Sequence, residues 1–237
     1  MNSRWMTCTA LLALSLNHAW AADPAIGEYI TEKGWGILKV TGKPGALHFD
    51  IAAIGANGHS CSIEGSIKDG KAVLDDSSPD DPCHVRFQAD SAGIDVVLGA
   101  TGECRQYCGM RAGFDGRYLA PATGCRNRER KAAQGNFVKQ YGVKNYQAAL
   151  SSLQPVLNTC AATLFWLEEA QIRNDLAVTL YHLGRKEDCL AMLGPTIAAH
   201  GANEEEMSKQ FLPPSDHDSI LPLMKAAWFN QKLCAAK

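Results

Sequence analysis

The first half of the chain alternates apolar and polar residues, a pattern that is typical of β-strands. Leu47, Phe49 and Ile51 are separated by single polar residues, as expected of a strand with one buried face. Similar segments occur at 36–40, 61–65, 85–87 and 93–98, with turn signals such as Asn57-Gly58 and Asp69-Gly70 between them. We therefore predict about six short antiparallel strands between residues 27 and 118, arranged as a small barrel or sandwich.

The spacing of apolar residues becomes helical after residues 121–124. Between Tyr146 and Leu157 apolar residues recur at steps of three and four, which predicts one buried helix face. A longer helix is predicted over 163–183, ended by Gly184, and further helices over 186–199 and 221–234. We predict loop with one short helical piece over 201–219. The fold class is therefore α+β with two domains, a β domain at 22–120 and an α-helical domain at 125–237.

The first residues have the features of a secretory signal peptide. Arg4 precedes an apolar stretch from about Trp5 to Leu16, and the small-residue pattern Ala19-Trp20-Ala21 follows. This stretch is shorter than the roughly 20 residues that a membrane-spanning helix needs. We predict a signal peptide at residues 1–21, a periplasmic or secreted mature protein, and no permanent membrane span.

The cysteines predict a disulfide framework. With Cys8 in the signal peptide, an even number remains for an oxidising compartment. The eight predicted disulfide cysteines are Cys61, Cys83, Cys104, Cys108, Cys125, Cys160, Cys189 and Cys234. We expect no bridge between the two domains, and favour Cys61 with Cys83 and Cys104 with Cys108. We predict that Cys125 begins the first helix and that Cys160 follows the second, so antiparallel packing of these helices would pair Cys125 with Cys160, which leaves Cys189 for Cys234.

Composition and charge exclude several functional classes. Hydrophobic residues make up 46% of the chain, enough to form a core without a metal ion. The 23 basic and 25 acidic residues are well mixed and give a net charge of -2. Nucleic-acid binding requires a broad basic field, so we expect no nucleic-acid partner.

Candidate catalytic and metal-binding chemistry is sparse. The chain has no nucleophile-elbow, zinc-protease or phosphate-loop motif, and Cys104-x3-Cys108 has the wrong spacing for a redox or zinc pair. His59 and His84 stand near cysteines that we expect to be oxidised, and Asp216-His217-Asp218 is interpreted as a polar loop. We expect no catalytic residue, cofactor or metal site, and leave open whether the protein is an enzyme.

Two stretches of sequence carry a resemblance in the β half. The residues Asn57-Gly-His-Ser-Cys61 and Cys83 are followed by a Cys-x3-Cys-Gly segment from Cys104 and by Phe-x-Gly-x-Tyr ending at Tyr118. Together they resemble a largely uncharacterised cysteine-containing β module of secreted bacterial proteins. Such modules are similar in size and disulfide-bonded β character to periplasmic lysozyme inhibitors, although no inhibitory loop motif matches here residue by residue.

The helical half resembles a tetratricopeptide-type helix pair. The segment Leu176-Ala-x-x-Leu180, with Gly184 at the turn and Cys189-Leu190 after it, has small residues where two helices pack closely. Tyr146-x-x-Ala-Leu150 resembles the second helix of an earlier unit. The matching position in the later unit lies 40 residues further along the chain. The standard repeat has 34 residues, so the resemblance implies a degenerate pair.

These observations favour binding over catalysis. We expect a periplasmic protein-binding protein, for example an inhibitor or immunity protein that blocks a toxin or a cell-wall hydrolase. The expected partner is a protein: a toxin, a hydrolase or an envelope subunit. The alternatives are an unrecognised envelope hydrolase and a scaffold subunit of an envelope complex. Trp35, Tyr107, Phe114 and Trp166 are candidate anchors for a partner, with a place in the core as the alternative.

Overall fold

The structure is a computed structural model, described here for residues 23–74, 80, 82–99, 103–210 and 212–236. The predicted signal peptide at 1–21 lies outside these residues. The described residues form an antiparallel β half followed by an α-helical half, which confirms the α+β class with two domains. None of their helices is long and apolar enough to cross a membrane.

The β half is one antiparallel sheet of eight strands among the described residues. The strands are β1 Gly27–Thr31, β2 Gly36–Lys43, β3 Ala46–Ile54, β4 Ser60–Ile67, β5 Lys71–Val73, β6 His84–Ala89, β7 Gly93–Leu98 and β8 Gly116–Leu119. Their order in the sheet is β4-β3-β2-β1-β8-β7-β6-β5. The two end strands, β4 and β5, are joined by a tight turn at Asp69–Gly70, so the sheet curls into a nearly closed barrel.

The barrel interior is filled by the apolar face of each strand. Phe49 on β3 and Phe87 on β6 meet across it with ring centroids 4.9 Å apart. Tyr118 on β8 is fully buried and its hydroxyl donates to the Phe114 carbonyl at 2.8 Å. The alternation that predicted β3 is confirmed, whereas β1, β5 and β8 were not predicted. These strands have three to five residues, too few for a period of two to stand out.

The described helical half consists of two antiparallel helix pairs, a short helix and a long last helix. Its helices are α1 Asn127–Gly142, α2 Tyr146–Cys160, α3 Trp166–His182, α4 Lys186–His200, α5 Glu204–Ser208 and α6 Pro214–Ala235. α1 packs on α2, α3 packs on α4, and α6 packs on both α3 and α4 around buried Leu153, Leu176 and Leu193. Gly184, with a φ of +75°, follows α3 as predicted.

The last helix begins earlier than we predicted. α6 starts at Pro214, not at Leu221, and so takes in the end of the segment predicted as loop. Pro214 occupies the first turn, where its missing N–H costs nothing. A cap for this helix comes from the β half: Asn57 Oδ1 accepts from Ser215 N at 3.0 Å. That partner is 158 residues away, so local sequence does not reveal it.

Close backbone contacts join the two halves. Gly34, with a φ of +67°, lies in the turn between β1 and β2, and an added Cβ there would come within 2.5 Å of Phe165 N. A residue with a side chain would therefore push the barrel away from the start of α3. On another side, Glu28 on β1 accepts from Asn127 N at 2.8 Å and so holds the first turn of α1.

Four disulfides are present, and none joins the halves among the described cysteines. Cys125 pairs with Cys160 and Cys189 with Cys234, as predicted. In the β half the favoured pairing was wrong, because Cys61 pairs with Cys108 and Cys83 with Cys104. Cys104 lies in a 3-10 turn, Glu103–Tyr107, where positions four apart point about 120° from each other. Cys104 and Cys108 therefore reach different strands.

Candidate functional site

Residues 103–115, called here the cross-linked loop, connect the region after β7 to β8. Two disulfides only four residues apart hold the loop: Cys104 is bonded to Cys83 just before β6, and Cys108 to Cys61 on β4. Gly109 N also donates to Ser60 O at 3.0 Å, which continues the contact with β4. The loop is therefore fixed both to β4 and to the residue that precedes β6.

The tip of the cross-linked loop is a β-turn supported by an arginine. Ala112 N donates to Gly109 O at 3.0 Å, which places Met110 and Arg111 at the two central positions. Arg105 Nη1 donates to Ala112 O at 3.3 Å, and its Nη2 donates to Met110 O. The planar guanidinium thus holds two carbonyls of the turn at once.

Two glycines let the loop pack closely on its neighbours: Gly55 lies against the backbone of Arg111, and Gly109 lies against the side chain of His59. An added Cβ at Gly55 would lie 2.0 Å from Arg111 O, and one at Gly109 would lie 2.4 Å from His59 Nδ1. Neither distance is compatible with a side chain. The loop backbone therefore lies flat against the connection between β3 and β4.

The side chains at the tip point to solvent. Met110 is 78% exposed, more than any other large hydrophobic residue described, and Arg111 is also exposed. Arg111 takes part in none of the ion pairs formed by the residues that the structure describes. A rigid backbone therefore presents one flexible apolar side chain and one free positive charge.

A cleft of about 530 Å³ lies between the barrel and the helices. It is lined by Ile54, Gly55, Ala56, Phe165, Trp166, Ala199, His200, Leu212 and Asp216. Gly55 thus contacts the cross-linked loop on one side and the cleft on the other. The walls are mainly apolar and aromatic, and a volume of this size suits a small ligand or an inserted side chain.

The described lining of the cleft contains two titratable side chains, Asp216 and His200. Both oxygens of Asp216 accept from Asn57 N, at 3.0 and 3.1 Å. Burial lowers the pKa of His200 and so favours its neutral form. Among the described residues that line the cleft there is no serine, threonine, cysteine or lysine to act as a nucleophile.

The other candidate residues are scattered over the molecule. Cys61 and Cys83 are oxidised, so neither provides a thiolate for His59 or His84. Among the described residues no group of three His, Cys, Asp or Glu side chains could hold a metal ion. Of the candidate anchors, Phe114 belongs to the barrel core and Trp35 packs against it, while Trp166 lines the cleft.

Sequence reasoning did not single out Met110, Arg111 or Arg105. The Cys-x3-Cys-Gly segment indicated this region of the chain, but the position of the turn depends on the partner to which each cysteine is bonded. The contact between Asn57 and Asp216 was also missed, although proline followed by Ser215 and Asp216 is a helix-start signal.

Comparison with family models, with curated proteins and with solved structures found no match to this chain.

Proposed function

We propose that the protein binds and inhibits an enzyme of the bacterial envelope, a toxin or a cell-wall hydrolase, through the cross-linked loop. The observation that carries this proposal is the exposed Met110–Arg111 turn on a backbone fixed by two disulfides and by Arg105. Binding loses less free energy to ordering when the contact element is already rigid. A loop of this kind can therefore enter a partner's pocket at little entropic cost.

The charges of the β half support an enzyme partner of this class. Residues 22–124 carry 14 acidic and 9 basic residues, so the half is negative overall while Arg111 at the tip is positive. An enzyme that cleaves an anionic cell-wall polymer benefits from a cationic surface around its site. Glycan hydrolysis also uses a pair of carboxylates, and arginine forms charge-assisted hydrogen bonds with carboxylates. The acidic residues of the β half would then face the cationic surface of the enzyme, and Arg111 would face its carboxylates.

The proposed location is the periplasm or the outside of the cell. Four intramolecular disulfides fit an oxidising compartment, and the signal-peptide pattern at residues 1–21 supports export. An inhibitor that must survive in that compartment benefits from covalent cross-links, because each one reduces the entropy of the unfolded chain.

We also propose that the helical half is a degenerate tetratricopeptide-like pair. The pairs α1–α2 and α3–α4 have the same three-residue connection, 143–145 and 183–185. The middle residue of each, Lys144 and Gly184, has a positive φ of 61° and 75°. These residues are 40 apart, the spacing expected from the sequence. The equivalence of two turns supports a repeat.

A pull-down followed by an activity assay tests the inhibitor proposal. The mature chain is used to capture partners from periplasmic extract, and a stoichiometric partner is then assayed with and without added protein. We expect inhibition by the wild type and at least a tenfold weaker effect from Met110→Ala/Arg111→Ala. The matched control is Lys71→Ala/Val73→Ala, which removes an exposed basic residue and an exposed apolar residue from β5.

The outcomes separate the two parts of the proposal. Inhibition that is equal for the tip variant and the wild type would show that another surface binds the partner. A stoichiometric partner whose activity is unchanged would contradict the inhibitor role and favour a scaffold.

A further inference from the structure

Positive charge is concentrated on the first helix of the helical half. Residues 126–144 contain six basic residues and a single acidic one, Glu129. The remaining residues, 145–237, contain seven basic and ten acidic residues. The net positive charge of the helical half therefore comes entirely from α1 and the turn after it.

The unpaired basic residues share one face of α1. At 100° per residue, Arg128, Lys131 and Lys139 lie within about 40° of the line through Gly135. All three are exposed, whereas Arg130 and Phe137, on the opposite side, are buried against the rest of the half. The exposed face as a whole comprises Arg128, Lys131, Ala132, Gly135, Val138, Lys139 and Gly142. We call it the outer face of α1.

The basic residues on the outer face are available for a partner. The other arginines in this region are paired: Arg126, just before α1, with Glu129 at 3.6 Å, and Arg130 on α1 with Glu168 at 2.8 Å. Arg128, Lys131 and Lys139 take part in none of the ion pairs found in the described parts of the chain. Their charges are therefore not neutralised within the molecule.

Exposed apolar side chains lie beside these charges. Val138 on the outer face is 60% exposed, and Val143 just after α1 is 70% exposed. Each is followed directly by a lysine, Lys139 or Lys144. An exposed apolar side chain beside a basic one adds apolar contact to the attraction between the positive charge and anionic lipid headgroups.

We propose that the outer face of α1 docks the protein on a membrane surface rich in anionic phospholipid. Charge complementarity favours a lipid surface, because the three free basic side chains can contact lipid phosphate groups. The two exposed valines can contact the acyl chains. An acidic protein is a poorer fit, because the face is the convex side of one helix and has no aromatic side chain to serve as an anchor. The interaction is peripheral, reversible and weakened by salt.

Vesicle sedimentation with the complete mature chain tests this proposal. Vesicles of equal parts phosphatidylglycerol and phosphatidylcholine are compared with phosphatidylcholine alone, at low salt and at 0.5 M salt. We expect binding only to the anionic vesicles and its loss at high salt. Arg128→Glu/Lys131→Glu/Lys139→Glu should lower the partition coefficient about a hundredfold or more, because each basic residue contributes about a factor of five at such a surface.

Two further variants make the result decisive. Lys39→Glu/Lys43→Glu/Lys68→Glu produces the same change of net charge on exposed residues of the β half and should keep most of the binding. Arg128→Gln/Lys131→Gln/Lys139→Gln removes the charges without reversing them and should weaken binding less than the glutamate variant. Val138→Ser/Val143→Ser should weaken binding with little effect on its salt dependence.

Several results would overturn the proposal. Equal binding to neutral vesicles, equal loss in the β-half control, or no binding of the wild type would each do so. Self-association of the wild type without vesicles, abolished in the glutamate variant, would instead assign the outer face to the acidic β half of a second copy.

Discussion

Gly55 and Gly135 differ in what an added methyl group would meet. At Gly55, with an ordinary φ of -107°, the Cβ would lie 2.0 Å from Arg111 O and 2.6 Å from Ala112 Cα. Both atoms belong to the backbone, so we expect Gly55→Ala to destabilise the β half by about 2 kcal/mol. Hydrogen exchange of residues 108–113 should also become faster.

Gly135→Ala is the matched control at the same scale. Gly135 lies inside α1 with nothing within 4 Å of the added Cβ, so alanine should stabilise the helical half by about 1 kcal/mol. Denaturant unfolding and hydrogen exchange measure both effects. If the Gly55→Ala variant is as stable as the wild type, the cross-linked loop can shift to accommodate the methyl group. That result would contradict the rigid tip on which the inhibitor proposal depends.

Asp90 should titrate at unusually low pH. A hydrogen bond from Arg117 at 2.6 Å, helped by one from Ala92 N, lowers the pKa of Asp90 from 3.8 to about 2. The folded-state pKa is below the unfolded value, so this stabilisation is complete above about pH 4 and is lost as the pH falls towards 2. NMR titration of the Asp90 carboxyl should give this midpoint, and Arg117→Gln should move it up towards 3.8. A wild-type midpoint near 4 would contradict the ion pair.

At the scale of elements, α6 depends on a cap from the other half of the molecule. Asn57 Oδ1 accepts from Ser215 N, and Asp216 in turn accepts from Asn57 N, which reproduces a capping box between distant segments. We expect Asn57→Ala to cost about 1 kcal/mol and to accelerate hydrogen exchange at residues 214–219.

The control for the α6 cap is Asn145→Ala, which removes an ordinary cap within the helical half. Asn145 Oδ1 accepts from Ala148 N at the start of α2. Its loss should accelerate exchange in α2 and leave α6 unchanged. If the hydrogen-exchange rates of residues 214–219 are unchanged in Asn57→Ala, packing alone fixes the start of α6.

Elements with a clear local signal were predictable from sequence, and those that depend on distant partners were not. The alternation in β3 and the leucine spacing in α3 each arise within one element, where Leu176 and Leu180 follow the helical period. The start of α6 depends on a residue 158 positions away. The disulfide between Cys61 and Cys108 joins residues 47 positions apart. The turn of the cross-linked loop follows from these pairings, so its tip could not be identified beforehand.

At the scale of the whole molecule, the halves are joined by one peptide segment and by non-covalent contacts. Residues 122–124 between them are exposed, and each disulfide between described cysteines lies within one half. A protease site inserted between Ala122 and Thr123 should therefore yield two fragments on a non-reducing denaturing gel. Under native conditions the fragments should co-elute, held by contacts such as Asn57 with Asp216. A single band that separates only after reduction would show a bridge between the halves.

The nested disulfides of the β half have a consequence for how the protein is made. The Cys83–Cys104 bridge lies within the chain segment closed by Cys61 and Cys108. A chain exported from its N-terminus exposes Cys61 and Cys83 first, and these two are not native partners. In such a chain, oxidation in order of emergence would form a wrong Cys61–Cys83 bridge, which thiol–disulfide exchange would have to undo. The bridges of the helical half join consecutive cysteines, so we expect oxidative refolding of the reduced protein to need disulfide exchange in the barrel and not in the helical half.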